Sequence, residues 1–377
     1  MKRAIVTAGM IVSFAACQQD RIAGPENLGP PECTQVTGTG GVTFTTNEGA
    51  SLTPTNGVLA GVKYTRGLVA LSGSTLLAAH GGKILRSTDA GCTWTQVSTV
   101  PSAYVALVAA SPTLAYGYAD GPGGLYRVPA DGAVQVLSSP VPRVRGLAVR
   151  AGHPESIRVA GETGQIFESN DHGATWKSVG TPVQADWVFS VAFDPADWNV
   201  AFAGTPHTGA WRTENGGLTW SRAHVSSPTA QRKQNVFKLE VSPVDPRTVW
   251  AAGLDLAERD LHGTEARYIY LSRDRGHTFT PVLSETPGSA VNIINGPVMA
   301  AHPRDPLVLY FVFSSSFRNY GTDIIRLDAR TGTHTRTHNA YHDVSEIAFA
   351  PGRPDVMYLG VGIEQICDPL PCSLAPR

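Results

Sequence analysis

The stretch Ser169-Asn170-Asp171-His172-Gly173-Ala174-Thr175-Trp176 decides how this chain folds, because related stretches recur three more times. The pattern is Ser/Thr-x-Asp/Asn-x-Gly-x-Thr-aromatic. An Asp or Asn side chain bonds backbone N–H groups nearby, and Gly reaches the positive φ that closes a tight turn. The Thr and the aromatic residue favour a new strand. Each copy is predicted to be a hairpin turn, with a structural role for its Asp or Asn: Asp89, Asp171, Asn215 and Asp274.

The spacing of these turns predicts a repeat architecture. Asp171 and Asn215 are 44 residues apart, and a weaker turn at 130–132 divides the longer interval between Asp89 and Asp171. A Pro-containing turn between apolar runs, as in Asp194-Pro195, forms a second repeat. A period of about 40–50 residues with several short strands per unit is typical of a β-propeller. The predicted fold class is therefore all-β, a single propeller with four-stranded blades.

We predict seven blades within residues 42–377, with six or eight as alternatives. The last blade has only two clear strands, so a strand from Cys33–Val36 or Gly41–Thr46 is expected to complete it and close the ring. The predicted blades are 67–98, 104–138, 146–180, 187–223, 236–283, 296–338 and 344–366.

The repeated turn resembles the Asp-box, or BNR repeat, of sialidases, sortilin-type receptors, some endoglucanases and propeller-type photosystem assembly factors. In those families the motif lies in the hairpin between the third and fourth strands of a propeller blade. The resemblance implies the fold rather than an activity, because the family's Asp-boxes lie on the blade rim, away from the ligand pocket.

The first seventeen residues have the features of a targeting signal. A basic start, Met1-Lys2-Arg3, precedes an apolar run, Ala4–Ala16, that is too short to span a bilayer. The run ends in Ser13-Phe14-Ala15-Ala16-Cys17, which resembles a bacterial lipobox and implies lipidation of Cys17. We expect the protein to be anchored by lipid in the bacterial cell envelope, with the outer membrane favoured over the inner membrane. Secretion without a lipid anchor is the alternative.

Residues 18–41 are rich in Gly and Pro and are predicted to be a tether. The formal net charge of the 377-residue chain is -1, and 16% of its residues are charged. This balance gives no reason to expect nucleic acid as a partner. We expect a monomer without a cofactor.

Four cysteines remain besides Cys17, and an even number in an oxidising compartment predicts two disulfides. Cys367 and Cys372 would close a short loop and leave Cys33 to pair with Cys92. The alternative is that Cys33 pairs with Cys367 or Cys372 and joins the two termini.

The spacing His334-x-x-x-His338-x-x-x-His342 would group three rings for zinc on a helix. The β-branched residues around His334 predict a strand instead. In a strand, four residues separate two Cα atoms by about 13 Å. No metal site is predicted.

In a propeller, the loops after the second and fourth strands of each blade share one face, where related propellers hold their ligands. Two of these loops, Leu254–Arg267 and Ser226–Asn235, are unusually long, which favours a functional role. The simpler interpretation is a solvated charged surface. The predicted ligand-binding residues are Trp187, Arg232, Asp255, Glu258, Arg259, Asp260, His262, Arg267, Arg318 and Tyr320.

These features support three functional hypotheses. The first is a non-catalytic, lipid-anchored envelope propeller that binds a protein or glycan partner. The second is a sialidase-like or endoglucanase-like glycoside hydrolase, which needs two carboxylates facing each other in a deep pocket. Arg21-Ile22-Ala23 lacks the Pro of the sialidase motif, and no catalytic residue is assigned. The third is an envelope assembly factor, which would present an arginine-rich face.

Overall fold

The computed structural model describes residues 31–55, 64–71, 74–119, 124–229, 231–285, 291–315, 321–339, 343–351 and 353–362. The targeting signal with Cys17 and the stretch Arg21–Ala23 lie outside these ranges, as do Arg318, Tyr320, His342, Cys367 and Cys372. Within the described ranges, no helix combines the length and apolar composition needed to cross a bilayer.

The first strand, β1 (Val42–Thr45), belongs to the last blade, and the next sixteen strands build blades 1 to 4 in chain order. Blade 1 contains β2 (Thr65–Ala70), β3 (Leu76–His80), β4 (Lys83–Ser87) and β5 (Thr95–Thr99). Blade 2 contains β6 (Val105–Ser111), β7 (Leu114–Ala119), β8 (Leu125–Pro129) and β9 (Gln135–Leu137). Blade 3 contains β10 (Gly146–Arg150), β11 (His153–Ala160), β12 (Ile166–Ser169) and β13 (Lys177–Ser178). Blade 4 contains β14 (Ser190–Phe193), β15 (Ala201–Thr205), β16 (Gly209–Thr213) and β17 (Ser221–Arg222).

Blades 5 to 7 complete the ring. Blade 5 contains β18 (His224–Val225), β19 (Gln234–Val241), β20 (Val249–Asp255), β21 (Arg267–Ser272) and β22 (Thr278–Ser284), with the helix α1 (Leu256–His262) between β20 and β21. Blade 6 contains β23 (Met299–Ala301), β24 (Val308–Ser315), β25 (Gly321–Asp328) and β26 (Thr333–Asn339). Blade 7 contains β27 (Asp343–Ala350) and β28 (Arg353–Gly362), with β1 as its third strand.

The blades form a closed ring around an axis lined by their first strands. The seven first strands are β2, β6, β10, β14, β19, β23 and β27, and each contacts the first strands of both neighbouring blades. The strands of each blade pair antiparallel, except that β18 adds to the outer edge of blade 5 in parallel with β22. The predicted seven-bladed, four-stranded propeller is confirmed. The predicted strand around His334 and His338 is confirmed as β26.

The second strands are the most deeply buried part of each blade. Every residue of β3, β15 and β20 is buried, whereas β13 and β17 at the outer edge are exposed. Both faces of a second strand pack against neighbouring blades, so these strands are continuous apolar runs. Between blades 5 and 6, for example, Trp250 packs with Phe311 and Leu327.

The repeated turn is held by its own side chains. In blade 3 the Ser169 hydroxyl donates to the Asp171 carboxylate (2.7 Å) and accepts from the backbone N–H of Gly173 (2.8 Å). The backbone N–H of Thr175 donates to the same carboxylate (2.9 Å), and so does the Thr175 hydroxyl (2.5 Å). His172 and Gly173 take positive φ values of 61° and 86°. The corresponding hydrogen bonds are present around Asp89, Asn215 and Asp274.

A fifth turn of the same geometry follows β1. The Thr45 hydroxyl donates to Asn47 (2.8 Å) and accepts from the backbone N–H of Gly49 (3.1 Å), and the N–H of Ser51 donates to Asn47 (2.9 Å). The sequence pattern missed this turn because Ser51 and Leu52 stand where the other copies have Thr and an aromatic residue.

Polar atoms of side chains on second strands connect several blades to the next one. The Tyr116 hydroxyl of blade 2 lies 2.7 Å from His172 in the turn of blade 3. The Tyr358 hydroxyl of blade 7 donates to the Ala90 carbonyl in the turn of blade 1 (2.9 Å). The Trp250 indole of blade 5 donates to the Pro306 carbonyl of blade 6 (3.2 Å). The repeated turns therefore support contacts between blades as well as their own hairpins.

The N-terminal segment closes the ring between blades 7 and 1. β1 pairs with β28 in the register Val42 to Gly360, so the predicted closing strand at Gly41–Thr46 is confirmed. Upstream of it, the backbone N–H of Thr37 donates to the carbonyl of Cys92 in the turn of blade 1 (2.8 Å). Cys33 forms a disulfide with Cys92, which confirms the first of the two pairings considered for Cys33.

Replacing Asp171 with Asn is expected to remove a pH dependence while keeping the turn. Hydrogen bonds from the Thr175 side chain and backbone lower the pKa of Asp171 to about 2. The ionised carboxylate therefore stabilises the fold above about pH 4, and this contribution is lost as the pH falls toward 2. Asn215 already fills this position in blade 4. Thermal unfolding should show Asp171→Asn less stable than wild type at pH 7 and equal to it near pH 2.

The exposed Asp131, which lies outside the motif, supplies the control substitution Asp131→Asn. A difference between wild type and Asp171→Asn that stays constant from pH 7 to pH 2 would contradict this assignment.

Loss of the Cys33–Cys92 disulfide is expected to weaken ring closure. The bond spans 59 residues of sequence, and constraining a loop of that length stabilises a fold by about 2–4 kcal/mol. Urea unfolding of Cys92→Ser without reductant should show a loss of that size. Cys33→Ser should give the same loss, and the double variant should add nothing further. Unchanged stability of the reduced wild-type chain would count against this role.

Candidate functional site

The two opposite faces of the propeller are formed by different connections between strands. We call the face formed by the loops after the second and fourth strands the loop face, and the face that carries the repeated turns the turn face. The first strands of all blades begin at the loop face, because consecutive strands of each blade alternate in direction. Trp187, the loop 226–233 and α1 all lie on the loop face, where the sequence predicted a ligand.

A central pocket opens where the first strands begin. Its volume is about 520 Å³, which is within the range of small-molecule sites. Pro297, Val298 and Met299 form an apolar part of its wall. Its polar lining consists of Arg66, Tyr104, Tyr118, Lys238, Ser345 and Glu346.

Two charged side chains of the pocket, Lys238 and Glu346, interact with each other and with the neighbouring Glu240. Lys238 and Glu240 alternate on β19 and so project to the same side of the strand, toward the axis. Burial raises the pKa of Glu346 to about 7, although nearby Lys238 and the N–H of Ile347 oppose the shift. Burial also raises the pKa of Glu240. Near neutral pH, the Glu346 carboxyl therefore exists in both protonation states.

Burial alone would lower the pKa of Lys238, but the ionisable acidic groups around it raise that pKa overall. These groups are Tyr118, Glu240 and Glu346. Lys238 thus stays charged, and it interacts electrostatically with acidic groups of blades 5 and 7.

Arg66 and two tyrosines form the rim of the pocket on the side of blades 1 and 2. The Arg66 guanidinium lies 5.2 Å from the centre of the Tyr64 ring and 6.0 Å from that of Tyr104. A cation over aromatic faces at this distance is attracted to them. Tyr104 is 47% exposed, so one part of its ring is available at the pocket mouth.

A row of three aromatic rings extends from the pocket wall across blade 4. The ring centroids of Trp187 and Phe189 lie 4.4 Å apart, and those of Phe189 and Phe237 lie 4.7 Å apart. Phe237 precedes Lys238 and lies beside Gly296 of the pocket wall. Trp187 is 41% exposed, so the row ends in a large apolar group that faces solvent.

The long predicted loop after β20 contains the helix α1. Asp255, fully buried, caps this helix by accepting from the backbone N–H of Glu258 (3.0 Å), and Gly263 ends it with a φ of 65°. The Asp255 carboxylate also accepts from Ser227 and from the Gln234 side chain (3.3 Å). The structure therefore uses Asp255 to hold α1 against the other long loop.

Two further predicted residues are engaged in internal contacts. Glu258 accepts a hydrogen bond from the Tyr268 hydroxyl. Arg267 pairs with Glu265 (2.8 Å) and with Glu285 (3.2 Å), which joins β21 to the end of β22. These side chains orient the base of α1.

The remaining predicted residues of this sector lie at the surface. Arg259 pairs with Asp260 (3.0 Å), and Lys233 approaches the same carboxylate at 3.9 Å. His262 is exposed in the last turn of α1, and Arg232 is exposed in the preceding loop. The structure thus brings α1, the loop before β19 and the aromatic row together around blade 5, since Phe237 packs with residues at the base of α1.

The sequence interpretation missed the central pocket. Its signal is the pair Lys238 and Glu240, which alternate with apolar residues in the second half of β19 and so share one side of this first strand. Among the residues that the structure describes, no three His, Cys, Asp or Glu side chains are grouped as metal ligands would be.

Replacing Glu346 with Gln is expected to stabilise the protein at alkaline pH. A carboxyl whose pKa is raised to about 7 by burial holds its proton more tightly in the folded chain than in the unfolded one. Its contribution to stability is complete below about pH 4.5 and declines as the pH rises toward 7. The unfolding temperature of Glu346→Gln should match that of wild type at pH 5 and exceed it at pH 8.

Glu265→Gln, at an exposed position, serves as the control and should follow wild type at both values. An equal shift of Glu346→Gln at both pH values would contradict the assignment.

The chain is similar in sequence and in fold to several known proteins. The family model described as "Sortilin-Vps10: Sortilin, neurotensin receptor 3" matches residues 164–318. Two solved structures share the fold. The GH74 enzyme of Niastella koreensis has a TM-score of 0.58 and 14% identity over 80% of this chain and 52% of its own. YCF48 from Cyanidioschyzon merolae has a TM-score of 0.53 and 11% identity over 80% of this chain and 97% of its own. This chain thus spans about half the length of the GH74 structure.

Two curated proteins extend the comparison. The Vacuolar protein sorting/targeting protein 10 of Aspergillus oryzae is 25% identical over 138 residues, which are 36% of this chain and 8% of that protein. The Dispase autolysis-inducing protein of Streptomyces mobaraensis is 46% identical over 341 residues, which are 89% of this chain and 90% of that protein. Identity at this level over nearly the whole length shows that the chain belongs to the family of the Dispase autolysis-inducing protein.

Proposed function

We propose that this chain is a non-catalytic binding protein that docks a partner protein on its loop face, and that the partner is a protease which digests itself more readily once bound. The observation that carries the proposal is the aromatic row that ends in the half-exposed Trp187. The printed name of the Streptomyces mobaraensis relative, an inducer of dispase autolysis, supplies the class of partner.

The docking surface consists of Trp187, Phe189, Phe237 and the exposed side of α1 with Arg259 and Leu261. Leu261 is 69% exposed on α1, beside the base that packs on Phe237. Exposed tryptophan and arginine side chains of this kind supply much of the binding energy at protein interfaces. Phe189 and Phe237 support the Trp187 ring from below, so little conformational entropy is lost when a partner covers it.

The non-catalytic part of the proposal rests on the contacts that the carboxylates in and beside α1 make. Asp255 caps α1, Glu258 accepts from Tyr268, Asp260 pairs with Arg259 and Glu265 pairs with Arg267. Each of these four acidic groups therefore has a structural partner. A protein partner therefore fits this surface better than a substrate for hydrolysis does.

The proposal includes attachment to the bacterial envelope through lipidated Cys17, with a monomeric chain and no nucleic acid partner. Cys33 is tied to Cys92 in a repeated turn, so Cys33 itself lies at the turn face. An anchor on this side would direct the loop face away from the membrane and toward extracytoplasmic partners. This orientation agrees with the placement of the docking surface.

The test uses dispase as the partner. The purified chain is expected to accelerate the appearance of dispase fragments on gels, and Trp187→Ala should reduce the apparent affinity about tenfold or more, as loss of a central aromatic contact does. The matched control is Leu218→Ala, because Leu218 is also a large exposed apolar residue (60%) but lies in the turn of blade 4 on the turn face.

Thermal unfolding of both variants checks that their folds are intact. Equal activity of Trp187→Ala and wild type would remove the docking surface from the proposal. Absence of any effect on dispase fragmentation would remove a self-digesting protease as the partner.

A further inference from the structure

The central pocket is a second binding site on the loop face, beyond the proposed docking of a protein. We propose that this pocket binds a neutral saccharide of a few sugar units. The pocket is bounded by side chains of blades 1, 2, 5, 6 and 7, whereas Trp187 and Phe189 belong to the third and fourth blades. Phe237 of the docking surface lies beside Gly296 of the pocket wall, but the two sites share no lining residue among those that the structure describes, so their ligands can be tested separately.

The first step of the argument is the charge balance. Arg66 and Lys238 supply two positive charges to the pocket wall, and Glu346 supplies a negative charge when it is ionised. An ion of either sign would therefore meet like charge as well as opposite charge. A neutral ligand that both donates and accepts hydrogen bonds meets no such opposition, and hydroxyl groups do both.

The second step is the arrangement of polar groups. The Ser345 hydroxyl donates to the Thr65 carbonyl (2.7 Å), which leaves its oxygen as an acceptor in the wall. Lys238 can only donate, while the Glu346 carboxyl accepts when it is ionised and donates when it is protonated. Hydrogen bonds to such charged groups are stronger than those between neutral ones. Adjacent hydroxyls of a sugar ring can satisfy these groups from one position.

The third step is the apolar part of the pocket. The Tyr104 ring is 47% exposed at the rim and is held by Tyr64, whose ring centroid is 6.1 Å away, and by Arg66. A fixed aromatic face suits the C–H side of a pyranose ring. Pro297 and Met299 add apolar surface on the opposite wall. A volume of about 520 Å³ limits the ligand to a short oligosaccharide.

The probe is a panel of neutral cello-, chito-, malto- and xylo-oligosaccharides of two to four units, titrated into the full chain by calorimetry. One series should bind saturably, and Tyr104→Ala and Lys238→Met should each weaken it at least tenfold. Acidic and basic tetrapeptides form the second arm. Binding of a peptide that displaces the sugar, or sugar binding that survives Tyr104→Ala unchanged, would overturn the inference, as would the absence of binding across the panel.

Controls separate this site from the docking surface. Tyr104→Ala removes an exposed rim residue, and its thermal unfolding shows whether the fold is kept. Trp187→Ala should bind the sugar like wild type, and Tyr104→Ala should accelerate dispase autolysis like wild type. Failure of the dispase experiment with intact sugar binding would refute only the proposed partner. Release of shorter sugars by wild type would support the site and overturn the non-catalytic part of the proposed function.

Discussion

Each blade of this propeller can bury its two faces only against its neighbours, and every other feature depends on that constraint. Trp250, Phe311 and Tyr358 are almost fully buried, yet each is covered by side chains of an adjacent blade as well as its own. A single four-stranded blade would leave such residues in water. The stabilising unit is therefore the interface between blades, and it is complete only when the ring is closed.

The same constraint separates structural from functional residues. The repeated turns lie where a second-strand side chain of the preceding blade reaches them, as Tyr116 reaches His172. Their polar atoms are used within the hairpin and between blades. The loop face has no repeated structural motif of this kind, so its residues differ from blade to blade. Within the described structure α1 occurs only in blade 5. Arg66 of blade 1 stacks on Tyr64 and on Tyr104 at the start of blade 2. Function can vary on this face without loss of the ring.

The sequence predicted the features that follow from short repeated patterns, and it failed where side chains from different blades form a pocket. The turn at Asp171, the seven blades and the closing strand follow from short patterns repeated along the chain. The pocket could not be predicted in this way, because Arg66, Lys238 and Glu346 come together only through the order of the blades around the axis. The helix α1 was missed because its capping residue, Asp255, occurs among charged residues that suggest a solvated loop.

The position of β1 also determines the order in which the protein can be completed. Synthesis produces β1 first and its partner β28 last, so the pair from Val42 to Gly360 forms only after nearly the whole chain is available. Contacts this distant in sequence are slow to form. The bond between Cys33 and Cys92 spans a far shorter segment and can form as soon as blade 1 exists in an oxidising compartment. Once formed, this disulfide holds β1 next to blade 1, where β28 must pair with it. The last strand therefore needs to find its partner at only one position in the ring.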